Sequence, residues 1–170
     1  MDPFNFETTF LSYGVWTERL LLFNRVLSFG YLCGVGVWFR AQLQEIRLKN
    51  VGWEFFTSWN LYMLSLYYFL AIICSCIGQQ TRRRNGQIGE ETRNAWSGWC
   101  RALGCTVYLL YEVLGATAFM VTTVAFTLLD PNPTFWNCTF HLATTISIIL
   151  ELLLNKMTVT FMHFPFGLTW

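Results

Sequence analysis

The sequence predicts an all-α fold, a polytopic transmembrane helix bundle with about four spans. Three observations predict it. Apolar residues make up 54% of the 170 residues and charged residues only 12%, about half the roughly 25% of an average soluble domain. Between Glu54 and Arg82 no charged residue occurs, and a transmembrane helix needs about 20 predominantly apolar residues. Aromatic residues reach 18%, which suits membrane interfaces, where Trp and Tyr present one apolar and one wet end.

The first span falls at about 20–39 and contains Arg25. Lying near one end, Arg25 is expected to snorkel to the headgroups along its aliphatic stem. The second, about 56–78, lies in the charge-free run. The third, about 102–129, carries Glu112 near its middle, and the fourth, about 139–162, carries Glu151 and Lys156. The gaps are short, so neighbouring helices should pack antiparallel as a bundle. No internal repeat or domain boundary interrupts the chain, which reads as one transmembrane domain over residues 1–170.

Charge sets the expected orientation, because Lys and Arg concentrate in cytoplasmic loops. The loop after the second span holds Arg82, Arg83, Arg84, Arg93 and Arg101, and Arg19 and Arg25 sit at the N-terminal end. The loop "DPNPTFWN" after the third span has neither Lys nor Arg. These counts predict a cytosolic N-terminus and a cytosolic triple arginine, against a competing cluster of Arg40, Arg47 and Lys49 in the first loop. The acidic start "MDPFNFETTF" lacks the basic region of a signal peptide. The membrane is the endomembrane system or the plasma membrane.

Several function classes are set aside. A net charge of +1 gives no nucleic-acid footprint. Six cysteines without a C-x-x-C pair, beside only two histidines, predict neither a zinc site nor a disulfide framework. No phosphate-binding loop, dinucleotide fingerprint or G-x-S-x-G is present, and no cofactor is implied.

The remaining chemistry lies in polar residues inside the spans, where ionisable groups are costly and mark function by default. His141 opens the fourth span, with Asn137 four residues before it and Glu151 ten after it. That places Glu151 about 15 Å deeper, out of reach of the imidazole. Thr57 opens the second span in "FFTSWN", with Asn60 three residues on along the same face. The second and fourth spans run the same way, so Thr57 and His141 should lie at similar depth. Each has an ordinary alternative. A membrane threonine commonly bonds its own i−4 carbonyl, a lone histidine such as His141 is commonly an interfacial or packing residue, and Glu112 and Glu151 can act as interhelical glue.

"FFTSWN" before an aromatic-rich helix, and "HLATTISIILELLLN" followed by "HF", resemble the second and fourth helices of the family that unites FAR-17a (androgen-induced) and rolling-stone membrane proteins. The resemblance runs from about Trp53 to the C-terminus. It implies, from the androgen-induced branch, an intramembrane hydrolase of fatty acid esters of hydroxy fatty acids. Thr57 would be its nucleophile and His141 its base, with membrane lipids as surroundings and a lipid ester as substrate. Asn60 and Asn137 are then the candidates to orient the pair or to stabilise an oxyanion. Cys138 stands where that branch has a further histidine, and "FTSWN" and "LELLLN" are closer to the rolling-stone branch. That branch implies a non-catalytic role in adhesion, fusion or scaffolding. Family members usually have about six spans, so the resemblance also implies a chain truncated at its C-terminus.

Overall fold

A computed structural model describes residues 15–45, 56–85, 98–124, 126–127, 141–155 and 157. They form four helices: α1 (Val15–Glu45), α2 (Phe56–Asn85), α3 (Gly98–Val124) and α4 (Ala143–Leu154). Among the described residues, three segments are long and apolar enough to cross a membrane: Thr17–Ala41, Ser58–Thr81 and Gly98–Val124. The all-helical bundle expected from the sequence is therefore the observed fold.

The helices close into a ring. α1 packs on α2 and α4, and α3 packs on the same two. Neighbours run antiparallel. Ascending positions on α1 meet descending positions on α2, from Arg25 beside Ala71 and Ser75 to Phe29 beside Phe69 and Gly36 beside Leu61.

The ring buries a stripe from each helix at i, i+3, i+4 spacing. On α3 the stripe is Gly104, Val107, Tyr108, Tyr111, Leu114, Ala118 and Val121. On α2 it is Leu61, Leu64, Tyr67, Tyr68, Ala71 and Cys74. Tyr67 stacks on Tyr111 with centroids 6.1 Å apart and meets Tyr68 edge-on at 5.1 Å.

Polarity is distributed as lipid demands. The outward faces are apolar: Val37 is 72% exposed, Leu153 67% and Phe23 63%. Arg25, Ser75, Asn155 and Glu151 are buried instead. A water-soluble bundle would rarely expose such broad apolar surface. This is a multi-pass membrane protein.

Two expectations are corrected. Arg25 does not snorkel: it is fully buried and ion-paired with Glu151. Turning inward on the buried stripe of Leu21, Asn24 and Ser28 gives the guanidinium protein partners that the hydrocarbon lacks.

The fourth span is not one helix over 139–162. α4 has 12 residues, about 18 Å against a hydrocarbon core of about 30 Å. It stops where Asn155 turns extended, at φ −94° and ψ 145°. The Asn155 side chain bonds on both sides of the stop. Its Nδ2 donates to Glu151 Oε1 at 3.1 Å, and its Oδ1 accepts the Met157 amide at 3.1 Å. These local bonds replace those of a continuing helix.

Candidate functional site

The polar side chains gather in two places. The first is a buried cluster built by three helices. α4 presents Thr144, Thr145, Ile148, Glu151 and Asn155 on its inner face, the i, i+3, i+4 series of a helix. Glu151 thus points to the centre of the ring, where α1 brings Arg25 and α2 brings Tyr67 and Ser75.

Arg25 Nε and Nη2 both donate to Glu151 Oε1, at 2.8 and 2.5 Å. Its Nη1 donates to the Ala71 carbonyl at 3.1 Å and to Ser75 Oγ at 2.6 Å. Four of the five guanidinium donors are thereby used. Tyr67 donates to the same Glu151 oxygen at 3.0 Å, as Asn155 Nδ2 does at 3.1 Å. One carboxylate oxygen collects four hydrogen bonds. The other, Oε2, is buried and has no partner among the described residues.

This arrangement makes the ion pair tolerable. Removing two charges from water costs several kcal/mol per ion unless further hydrogen bonds complete their shells. Tyr67, Ser75, Asn155 and the Ala71 carbonyl supply those bonds. Of these, sequence reasoning assigned no role to Tyr67 or Ser75. The available signal was charge arithmetic: Arg25 and Glu151 are opposite charges embedded in apolar runs, and buried charges pair.

The second place is one end of the ring, where α2 and α4 begin. Thr122 of α3 donates to the His141 carbonyl at 2.9 Å, and Thr144 donates to it at 2.8 Å. The Thr122 and Thr145 hydroxyls stand 2.6 Å apart. These bonds fix the start of α4 against the end of α3. The half-buried His141 ring meets Phe126 edge-on, with centroids 6.5 Å apart. Its Nδ1 is buried without a hydrogen-bond partner among the described residues.

Asn60 lies at the same end. It is buried, and its Oδ1 accepts from Thr117 at 3.1 Å. Thr117 and Thr122 are five residues apart on α3, or about 7.5 Å along its axis. Through α3, Asn60 and His141 therefore occupy neighbouring levels of one end.

Thr57 is the second residue of α2; its side chain lies outside the described residues, as do Asn137 and Cys138. Glu112 accepts from Tyr108 of its own helix at 2.7 Å. No group of three or more His, Cys, Asp or Glu side chains that could hold a metal ion occurs among the described residues.

Chemically, the end of the ring offers an imidazole nitrogen without a hydrogen-bond partner among the described residues, beside hydroxyl-rich helix ends, and the buried cluster offers a fixed charge pair. Comparison with family models, with curated proteins and with solved structures finds no match for this chain.

Proposed function

We propose that this multi-pass membrane protein is an intramembrane lipid-ester hydrolase in which Thr57 is the nucleophile and His141 the general base. One observation carries the reading: His141 Nδ1 is buried with no hydrogen-bond partner among the described residues, at the end of the ring where α2 begins. An imidazole nitrogen not committed to another bond is what a hydroxyl nucleophile needs as its proton acceptor.

In this mechanism His141 takes the proton as the Thr57 oxygen attacks the ester carbonyl. The alkoxide then leaves with that proton, and an acyl-threonine forms. Water, deprotonated by His141, releases the fatty acid and regenerates the hydroxyl. The bilayer supplies the substrate laterally, with the N-terminus and Arg82–Arg84 on the cytosolic side. Fatty acid esters of hydroxy fatty acids are the substrate class that the family resemblance implies.

A second reading has its own support. Asn60, Glu112 and Glu151 all bond other protein groups, as expected of a non-catalytic protein in adhesion, fusion or scaffolding.

The test is labelling by an activity-based hydrolase probe, run on the full chain and on Thr57→Ala and His141→Ala. Hydrolysis of a panel of branched and simple lipid esters is followed in parallel. The hydrolase predicts labelling of the wild type alone. Equal labelling of all three, or no hydrolysis by folded wild type, supports the non-catalytic reading.

A further inference from the structure

We propose that the centre of the ring is a binding site for one water molecule, which bridges α4 to α2 by donating to Glu151 Oε2 and accepting a hydrogen bond from the Tyr68 hydroxyl. This site does not depend on the hydrolase reading.

Two buried atoms carry the inference. Glu151 is fully buried, and its Oε1 accepts four hydrogen bonds. Its Oε2 is buried as well and has no partner among the described residues. Tyr68 is also fully buried, and its hydroxyl has no hydrogen-bond partner among the described residues. Buried polar atoms of native proteins are nearly always bonded, to protein or to ordered water. Orphaning a charged acceptor costs more than orphaning a neutral one, so Oε2 is the stronger demand.

Both atoms belong to one neighbourhood. Tyr68 meets Tyr67 edge-on with centroids 5.1 Å apart, and Tyr67 donates to the Glu151 carboxylate at 3.0 Å. Tyr68 also lies within range of the Glu151 charge, with Ser28 of α1 beside its hydroxyl. Ser28 is buried too.

Chemistry identifies the occupant. A carboxylate oxygen only accepts, whereas a phenol can donate. Water is the smallest molecule that answers both. A second cation is disfavoured, because Arg25 already balances the carboxylate, and an apolar occupant would leave both atoms orphaned. A buried water makes about three hydrogen bonds, and Glu151, Tyr68 and Ser28 can supply that number.

The test is solid-state NMR of the full chain in bilayers, reading magnetisation transfer from water to the Glu151 carboxyl carbon, which Glu151→Gln assigns. Wild type should show this transfer. Tyr67→Phe should keep it, because that hydroxyl bonds the other oxygen. Tyr68→Phe should weaken it about fivefold, the scale of one hydrogen bond. Thermal unfolding by circular dichroism verifies that each variant is folded. A crystal structure that resolves ordered waters should place one within hydrogen-bond distance of both Oε2 and the Tyr68 hydroxyl. That measurement decides independently of the variants. The proposal is overturned by absent transfer in wild type, by loss of transfer in folded Tyr67→Phe, by wild-type transfer in folded Tyr68→Phe, or by a protein donor on Oε2.

Discussion

Arg25 Nη2 stands 2.5 Å from Glu151 Oε1, and both side chains are 0% exposed. The first and last described helices are thus joined by a charge pair inside the bundle. Breaking one half of such a pair leaves an uncompensated buried charge and costs about 3–5 kcal/mol. Arg25→Met and Glu151→Leu should each lose about that much, and the double variant should recover most of it. Reversible unfolding in mixed detergent micelles measures all three, and strictly additive losses would refute the coupling.

Tyr67 contributes one hydrogen bond to the shared carboxylate oxygen. Tyr67→Phe keeps the ring that stacks on Tyr111 and removes only the hydroxyl. The expected loss is about 1.5–3 kcal/mol, the range for a hydrogen bond to a charged group. In the Glu151→Leu background the same change should cost little.

Asn60 and Thr117 form a neutral bond between α2 and α3. Interhelical bonds of this kind in membranes average about 0.6 kcal/mol. Thr117→Val should therefore shift unfolding only slightly. Its effect on hydrolysis separates two roles for Asn60. An orienting or oxyanion residue released from Thr117 changes kcat, whereas a purely structural one leaves kcat unchanged.

Asn155 holds the Met157 amide through its Oδ1. Asn155→Ala removes that acceptor and one donor to Glu151. Hydrogen exchange should accelerate at the Met157 amide, with little change at Ile148 in the middle of α4. Unchanged protection at Met157 would mean that the side chain does not set the end of the helix.

The long helices were legible because their signal is local. A charge-free run of sufficient length can hardly be anything but a span, as α2 demonstrates. α3 was equally plain, since its single interior acid, Glu112, is answered by Tyr108 four residues earlier. The end of α4 was not legible. "LELLLNK" reads as a continuing apolar helix, and the Asn155 side chain bonding to both Glu151 and Met157, where the chain turns aside, is a contact that helical periodicity does not show. Arg25 was misjudged for a related reason. Its distance from the span's end suggested escape to the headgroups, whereas its partner lies 126 residues away in sequence, where helical periodicity carries no information. Of the candidate site, the sequence placed Asn60 and His141 at one end of the bundle. It could not foresee that α3 threonines bond both residues.

That separation has a consequence for biogenesis. At about 5–20 residues per second of synthesis, the 126 residues between Arg25 and Glu151 represent about 6–25 s. Throughout that interval α1 carries an arginine whose counter-charge does not yet exist. An arginine without its partner is costly in hydrocarbon, so α1 gains its full stability in the membrane only once α4 is made. The ion pair therefore ties the stability of the first helix to the completion of the last described one.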